Sequence, residues 1–117
     1  MGRRRAHNTE GDLLAGTLDL LILQTLRLAP ANGFTIARTI QQRSDAVLLV
    51  EEGSLYPALH RLEKRGWIAS SWGVTENKRR ARFYRLTPMG KRSLVRETSR
   101  WERLVRAVGR VIGLAEA

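Results

Sequence analysis

Apolar residues first recur at helical spacing between positions 13 and 29, where Leu18, Leu21, Ile22, Thr25 and Leu26 follow the i, i+3, i+4 rule. Thr17 and Asp12 are the candidate caps. Leu20, Leu23 and Leu28 leave few polar positions on the other side, so this helix is expected to be covered on more than one face. In so small a protein, a second chain is the expected cover. Pro30 to Gly33 reads as a turn punctuated by Asn32-Gly33. A short second helix is expected over 34–43, with Ile36, Ala37 and Ile40 facing inward, and Val47 to Val50 reads as a short extended run.

The third helix, over 52–65, carries one apolar stripe of Leu55, Ala58, Leu59 and Leu62. Its opposite side carries Pro57, His60, Arg61 and Lys64, with Tyr56 on the flank. A start near Glu52 to Ser54 puts Pro57 in the first turn, where a missing N–H costs nothing. Gly66 is the expected stop. Trp67 to Trp72 and Arg82 to Thr87 read as two strands, joined by a loop from Gly73 to Ala81 that holds Lys78, Arg79 and Arg80. Thr87-Pro88 then opens a last helix, with threonine as cap and proline at its first position. Leu94, Thr98, Trp101, Val105, Val108 and Ile112 are spaced alternately four and three apart, a heptad seam that Leu104 and Val111 widen. From Met89 to Ile112 this helix spans about 36 Å at ~1.5 Å per residue, which predicts packing against another chain.

Composition narrows what such elements do. At 117 residues the chain is one domain, or one small domain with an appended helix. It has no cysteine, which excludes disulfides, thiolate metal sites and a cysteine nucleophile. His7 and His60 stand far apart and make no zinc cluster alone, so no metal and no cofactor are expected. No nucleophile–base pair or phosphate-cradling loop can be assembled, and an enzyme is not expected. Glu51-Glu52 instead favours the positive end of the third helix. The net charge is +10, with 21 basic against 11 acidic side chains. Residues 1–77 are nearly neutral, and almost all the surplus lies between Lys78 and Arg110. A folded, strongly basic domain points to a polyanionic partner. The apolar stretch after Arg3-Arg4-Arg5 is interrupted by Asp19, Gln24 and Arg27, so neither a signal peptide nor a membrane span is expected, and the cytoplasm is the expected compartment.

Taken together, the fold class is mainly α with a small β-hairpin. A flexible basic and polar N-terminus covers 1–12, a winged helix-turn-helix 13–87, and a C-terminal dimerisation helix 88–117. In that architecture the third helix enters the major groove of double-stranded DNA, and the hairpin tip meets phosphates or the adjacent minor groove. The candidate DNA-binding residues are Ser54, Tyr56, Pro57, His60, Arg61 and Lys64 on the helix, and Lys78, Arg79, Arg80 and Arg82 on the wing. The plainer alternatives are that Tyr56 packs against the wing and that Arg61 and Lys64 only solubilise. Arg92, Arg96, Arg100, Arg103, Arg106 and Arg110 lie mostly off the seam and read as a charged outer face. Arg3-Arg4-Arg5 reads either as an arm reaching phosphate or as a solubilising end.

The chain also resembles the PadR-like transcriptional regulators, in the small subgroup with a single C-terminal helix. The resemblance runs over about 13–112. It is carried by Gly16-Thr17-Leu18-Asp19-Leu20-Leu21-Ile22-Leu23, by Gly33-Phe34-Thr35-Ile36-Ala37, and by Glu51 to Glu63 with its Gly53-Ser54-Leu55-Tyr56-Pro57-Ala58-Leu59 core. Gly66-Trp67-Ile68 and Arg82-Phe83-Tyr84-Arg85-Leu86-Thr87-Pro88-Met89-Gly90 complete it. It implies a homodimer built from the first and last helices that represses transcription at a roughly palindromic operator. The expected dimer contacts are Leu18, Leu21, Ile22, Leu94, Trp101, Leu104, Val105, Val108 and Ile112. Some relatives respond to phenolic acids or bind flat aromatic compounds at that interface, which makes Trp101 either a structural anchor or a wall of an effector site. Phe34 stands where relatives often carry tyrosine, and the wing tip is unusually rich in arginine. Two other classes remain open: a basic RNA-binding or ribosome-associated winged helix, and a protein-interaction module with incidental basicity.

Overall fold

The computed structural model describes residues 16–114. The expectations for the 1–12 segment, for the Arg3-Arg4-Arg5 arm and for a first helix beginning near 13 lie outside those residues. Helix α1 covers 16–28, β1 is Ala31–Asn32, α2 is Gly33–Arg43 and α3 is Glu52–Lys64. Strands β2, Ile68–Val74, and β3, Arg80–Leu86, form the hairpin, and α4 runs Pro88–Ile112. All three strands are antiparallel in the order β1-β3-β2, so β3 is the central strand. This is a winged helix: four helices and a three-stranded sheet.

The core is where the helical stripes meet. Ile22, Leu23 and Leu26 of α1, Ile36 and Ile40 of α2, and Leu55, Ala58, Leu59 and Leu62 of α3 are all buried. Ile68 and Tyr84 close the core from the sheet, and Leu94 from the first half of α4. Ile22 has no exposed surface, and Leu94 and Leu18 keep only 4% and 9% of theirs. These three residues therefore pack inside their own chain, where the sequence had placed them against a second copy. A single chain already covers the inner side of α1.

Local chemistry explains the boundaries. Asn32 ends β1 and caps α2, its side-chain oxygen accepting from the Thr35 N–H at 2.8 Å. The expected bare turn is thus a short strand and a cap, because Ala31 and Asn32 find β3 partners in Tyr84 and Phe83. Helix α3 starts at Glu52, within the expected range, but that start does not put the proline in the first turn. Its N-cap is Glu51, so Pro57 lies in the second turn and leaves the Gly53 carbonyl without its i+4 donor. Gly53 is exposed, so that carbonyl lies at the protein surface. Gly66, at φ +78°, ends α3 as expected, with Trp67 N–H bonded to the Leu62 carbonyl and Gly66 N–H to that of Glu63. The 47–50 run forms no strand; it follows two left-handed residues, Asp45 and Ala46, that turn the chain out of α2.

The start of α4 is fixed to the α3–β2 turn. The Thr87 hydroxyl accepts from Gly90 N–H at 3.0 Å and reaches the Gly66 and Trp67 carbonyls at 2.6 and 3.0 Å. The Thr87 N–H also donates to the Trp67 carbonyl at 3.1 Å. A Cβ at Gly90 would collide with that carbonyl oxygen, so the helix approaches this closely only because the residue is glycine.

Candidate nucleic-acid interface

The solvent side of α3 carries Ser54, Tyr56, Pro57, His60 and Lys64, all exposed, with Arg61 partly so. They share a side because the buried stripe of Leu55, Ala58, Leu59 and Leu62 takes the other. The wing carries Lys78, Arg79, Arg80 and Arg82, also exposed. Its tip is tighter than the nine-residue loop expected from sequence. The strands extend to Val74 and Arg80, and Thr75 N–H meets the Arg79 carbonyl at 2.8 Å. Lys78 N–H meets the Thr75 carbonyl at 2.9 Å, and Lys78 adopts φ +61°. A three-residue turn with a left-handed third position results. Glycine is the usual occupant there, and here the position presents a lysine.

Helix and wing are joined. Glu63, near the end of α3, accepts from the Ser70 hydroxyl of β2 at 2.6 Å and lies 3.7 Å from the Arg82 guanidinium of β3. The Arg82 Nε donates to the same Ser70 oxygen at 2.9 Å. Arg82 is thus partly committed inside the molecule. The same is true of Arg61, whose Nη2 donates to Asp19 Oδ1 on α1 at 2.9 Å. Burial pushes the Asp19 carboxyl above its ordinary range, against the opposing pull of Arg61. Arg61 therefore ties α3 to α1 with one nitrogen while its half-exposed side chain keeps donors on the surface.

The Tyr56 ring lies on the backbone of Gly33 at the start of α2. A Cβ at Gly33 would come within 2.8 Å of the Tyr56 hydroxyl oxygen and 3.1 Å of its ring. Tyr56 remains 47% exposed. Beside it, a groove of about 470 Å³ opens between α2 and α3, lined by Gly33, Ala37 and Leu55 below and by Phe34, Arg38 and Glu52 at the rim. Phe34 was noted only as a departure from the family pattern, and Arg38 was not singled out from sequence. Their signal was available: Ile36 and Ile40 face inward, which sends Phe34 and Arg38 outward on the same helix.

A second arrangement was also missed. On the wing, the Arg80 and Arg82 guanidiniums lie over the Trp72 ring, 4.7 and 5.6 Å from its centre. The register explains it, since Trp72 is opposite Arg82, and Val74 is opposite Arg80. From the sequence alone, with loop ends uncertain, that pairing was not fixed.

The dimer candidates divide into two sets. Leu18, Ile22 and Leu94 belong to the core described above. Trp101, Leu104, Val105, Val108 and Ile112 run along α4 beyond that core and are 42–65% exposed. Leu21 is half-buried on α1. Among the described residues no group of histidine, cysteine, aspartate and glutamate could hold a metal ion. No described helix is long and apolar enough to cross a membrane.

The geometry can be set beside known proteins. The structure is similar to that of a transcriptional regulator from Clostridium thermocellum, with TM-score 0.77, 32% identity, and coverage of 85% of this chain and 96% of that one. A PadR-family transcriptional regulator from Eggerthella lenta matches 97% of this chain and 98% of its own, at 30% identity and TM-score 0.71. In sequence, the transcriptional regulator Rv3488 of Mycobacterium tuberculosis is 42% identical over 59 residues, half of this chain and 54% of that protein. The model of the transcriptional regulator PadR-like family matches residues 22–96, from the core of α1 through the α2–α3 pair and the wing to the docked start of α4. With its helix-turn-helix, its basic wing and the greater part of its length inside that match, the chain belongs to the PadR-like family of transcriptional regulators.

Proposed function

We propose that two copies of this chain bind a palindromic DNA operator and repress the promoter that contains it. The observation that carries this is the joined surface of α3 and the wing. Ser54, Tyr56, Pro57, His60 and Lys64 are exposed on one, Lys78, Arg79 and Arg80 on the other, and the Glu63–Ser70–Arg82 bridge sets the angle between them. A helix presented in this way suits the major groove, which is about 12 Å wide, while the wing arginines suit the phosphates beside it. Arg61 contributes from the edge of the same surface, with Asp19 holding its guanidinium. Wing cations neutralise phosphates without reading sequence; α3 supplies the donors that can read base edges.

The dimer rests on α4. Among its exposed apolar residues, Trp101, Val105, Val108 and Ile112 have heptad spacing, Leu104 widens that seam, and none of these is covered by the core. A second copy of the same helix, with Leu21 of α1 at the margin, is the proposed cover. A flat aromatic effector would sit against Trp101 in that interface and, by changing the helix packing, release the DNA.

The test is a titration of labelled duplex from the region upstream of the chain's own coding sequence. Unrelated DNA and duplex RNA are the competitors. Preference for the upstream duplex is expected, with affinity falling as salt rises by a slope of ~0.9 per phosphate contacted. Binding that favours duplex RNA, or does not discriminate, would overturn the proposal.

A further inference from the structure

We infer that Trp72 is a positioning residue of the wing: it stacks Arg80, beside the internally bonded Arg82, so that Arg80 enters the DNA minor groove and favours A·T-rich sequence flanking the operator half-site. This rests on the DNA reading above and adds to it a residue-level source of sequence preference on the wing, whose cations that reading uses to neutralise phosphates.

The placement follows from the sheet. Trp72 and Arg82 are opposite each other, as are Val74 and Arg80, so these four side chains share one face of the hairpin. Nearer the base, the same face carries Ile68 and Tyr84, which are buried in the core, and Ser70, which is bonded to Glu63 of α3. The stack therefore lies on the α3 side of the wing, beyond the point where the core ends. There Trp72 is 60% exposed, although nothing in the core requires a tryptophan at this position. No carboxylate among the described residues pairs with Arg80; its contact is the Trp72 ring. Arg82 is held from below by Ser70 and Glu63 and from above by Trp72.

An arginine on a free surface samples many rotamers, and ordering it on binding opposes affinity. Stacked on an aromatic face, the planar Arg80 guanidinium keeps its N–H edges available while its rotamers are restricted. That arrangement suits a narrow slot of negative potential. The minor groove of A·T-rich DNA is such a slot, about 6 Å wide or less, and it attracts inserted arginine. The seven residues of β2 reach about 23 Å at ~3.3 Å each, enough to pass from a helix in the major groove across one phosphate ridge.

The experiment begins by enriching duplexes from a random-sequence pool with the wild-type chain. The enriched sequence is then resynthesised with its flanks as A·T, G·C or inosine·C pairs. Inosine lacks the guanine amino group, so it presents the A·T pattern in the minor groove and leaves the major groove as in G·C. Tighter binding is expected with A·T and inosine·C flanks than with G·C. Trp72→Ala should cut that preference about two- to fivefold with the salt slope unchanged, the size expected for an exposed cation–π contact. Trp72→Phe should restore part of it. Arg80→Ala should remove it, and adding Trp72→Ala should then change nothing further. Thermal melts of each variant confirm folding. The inference is overturned if the wild type binds the enriched core with no flank preference, or if Trp72→Ala keeps the preference in full. A pool that yields no enriched duplex overturns the DNA reading itself, a result separate from either.

Discussion

At the scale of single residues, two positions hold this molecule to its geometry by what they lack or bury. Gly90 lets α4 rest on the Trp67 carbonyl, and Gly90→Ala should cost about 1–3 kcal/mol, the usual size for overpacking a tight contact. A drop in the urea midpoint with unchanged slope is the expected sign, and an unchanged midpoint would contradict the contact. Asp19 is the second. Burial, only partly offset by Arg61, makes its carboxyl hold a proton more tightly in the folded state than in the unfolded chain. Its contribution to stability therefore falls as pH rises from its ordinary value of 3.8 through the higher folded value. The stability of the wild type relative to Asp19→Asn should shrink over that window. A difference that is flat or grows with pH would refute the burial. Neither residue was legible as such in the sequence. A glycine pressed on a carbonyl and an aspartate under an arginine 42 positions away are tertiary facts. Asp19 was read as an interruption of an apolar run and as part of a family motif, with no partner assigned.

At the scale of elements, local rules carried far. The α3 stripe, the Gly66 stop, the Thr87-Pro88 start and the end of α4 near Ile112 all stand where periodicity and capping put them. The departures share a cause: each depended on a partner strand. β1 is too short to show a period of two, and the wing turn is tighter than its composition suggests because Val74 and Arg80 pair. The Trp72 stack was hidden for the same reason, since a register shift of one residue would send the ring to the other face. The wing turn makes its own prediction. Lys78 occupies a left-handed position that costs a side-chain-bearing residue about 1 kcal/mol. Lys78→Gly should leave stability equal or raise it by up to about that amount, while the salt slope of DNA binding drops by ~0.9. A loss of stability would deny the turn geometry, and an unchanged slope would remove Lys78 from the phosphate contacts.

At the scale of the whole molecule, the fold class was readable because stripe, wing and seam each occupy separate stretches of chain, and the family because motifs such as Gly53 to Leu59 resemble it. What was not readable was the division of apolar residues between core and surface. Leu94 begins the seam on α4 yet belongs to the core, and only from Trp101 onward does the stripe lie open. The dimer is accordingly tested there. Val108→Glu should leave the monomer folded and shift sedimentation from dimer to monomer at micromolar concentration, and a dimer that persists would remove α4 from the interface. One consequence of the Thr87–Gly90–Trp67 joint reaches beyond stability. It fixes the direction of a rod of 25 residues, about 37 Å long. A tilt of roughly 5° at that joint moves the far end by about 3 Å, close to the ~3.4 Å between neighbouring nucleotides along one strand. In the proposed dimer, a hinge without a side chain is thus a ruler's zero mark: how firmly it is pinned decides whether two α3 helices can count the base pairs between their half-sites.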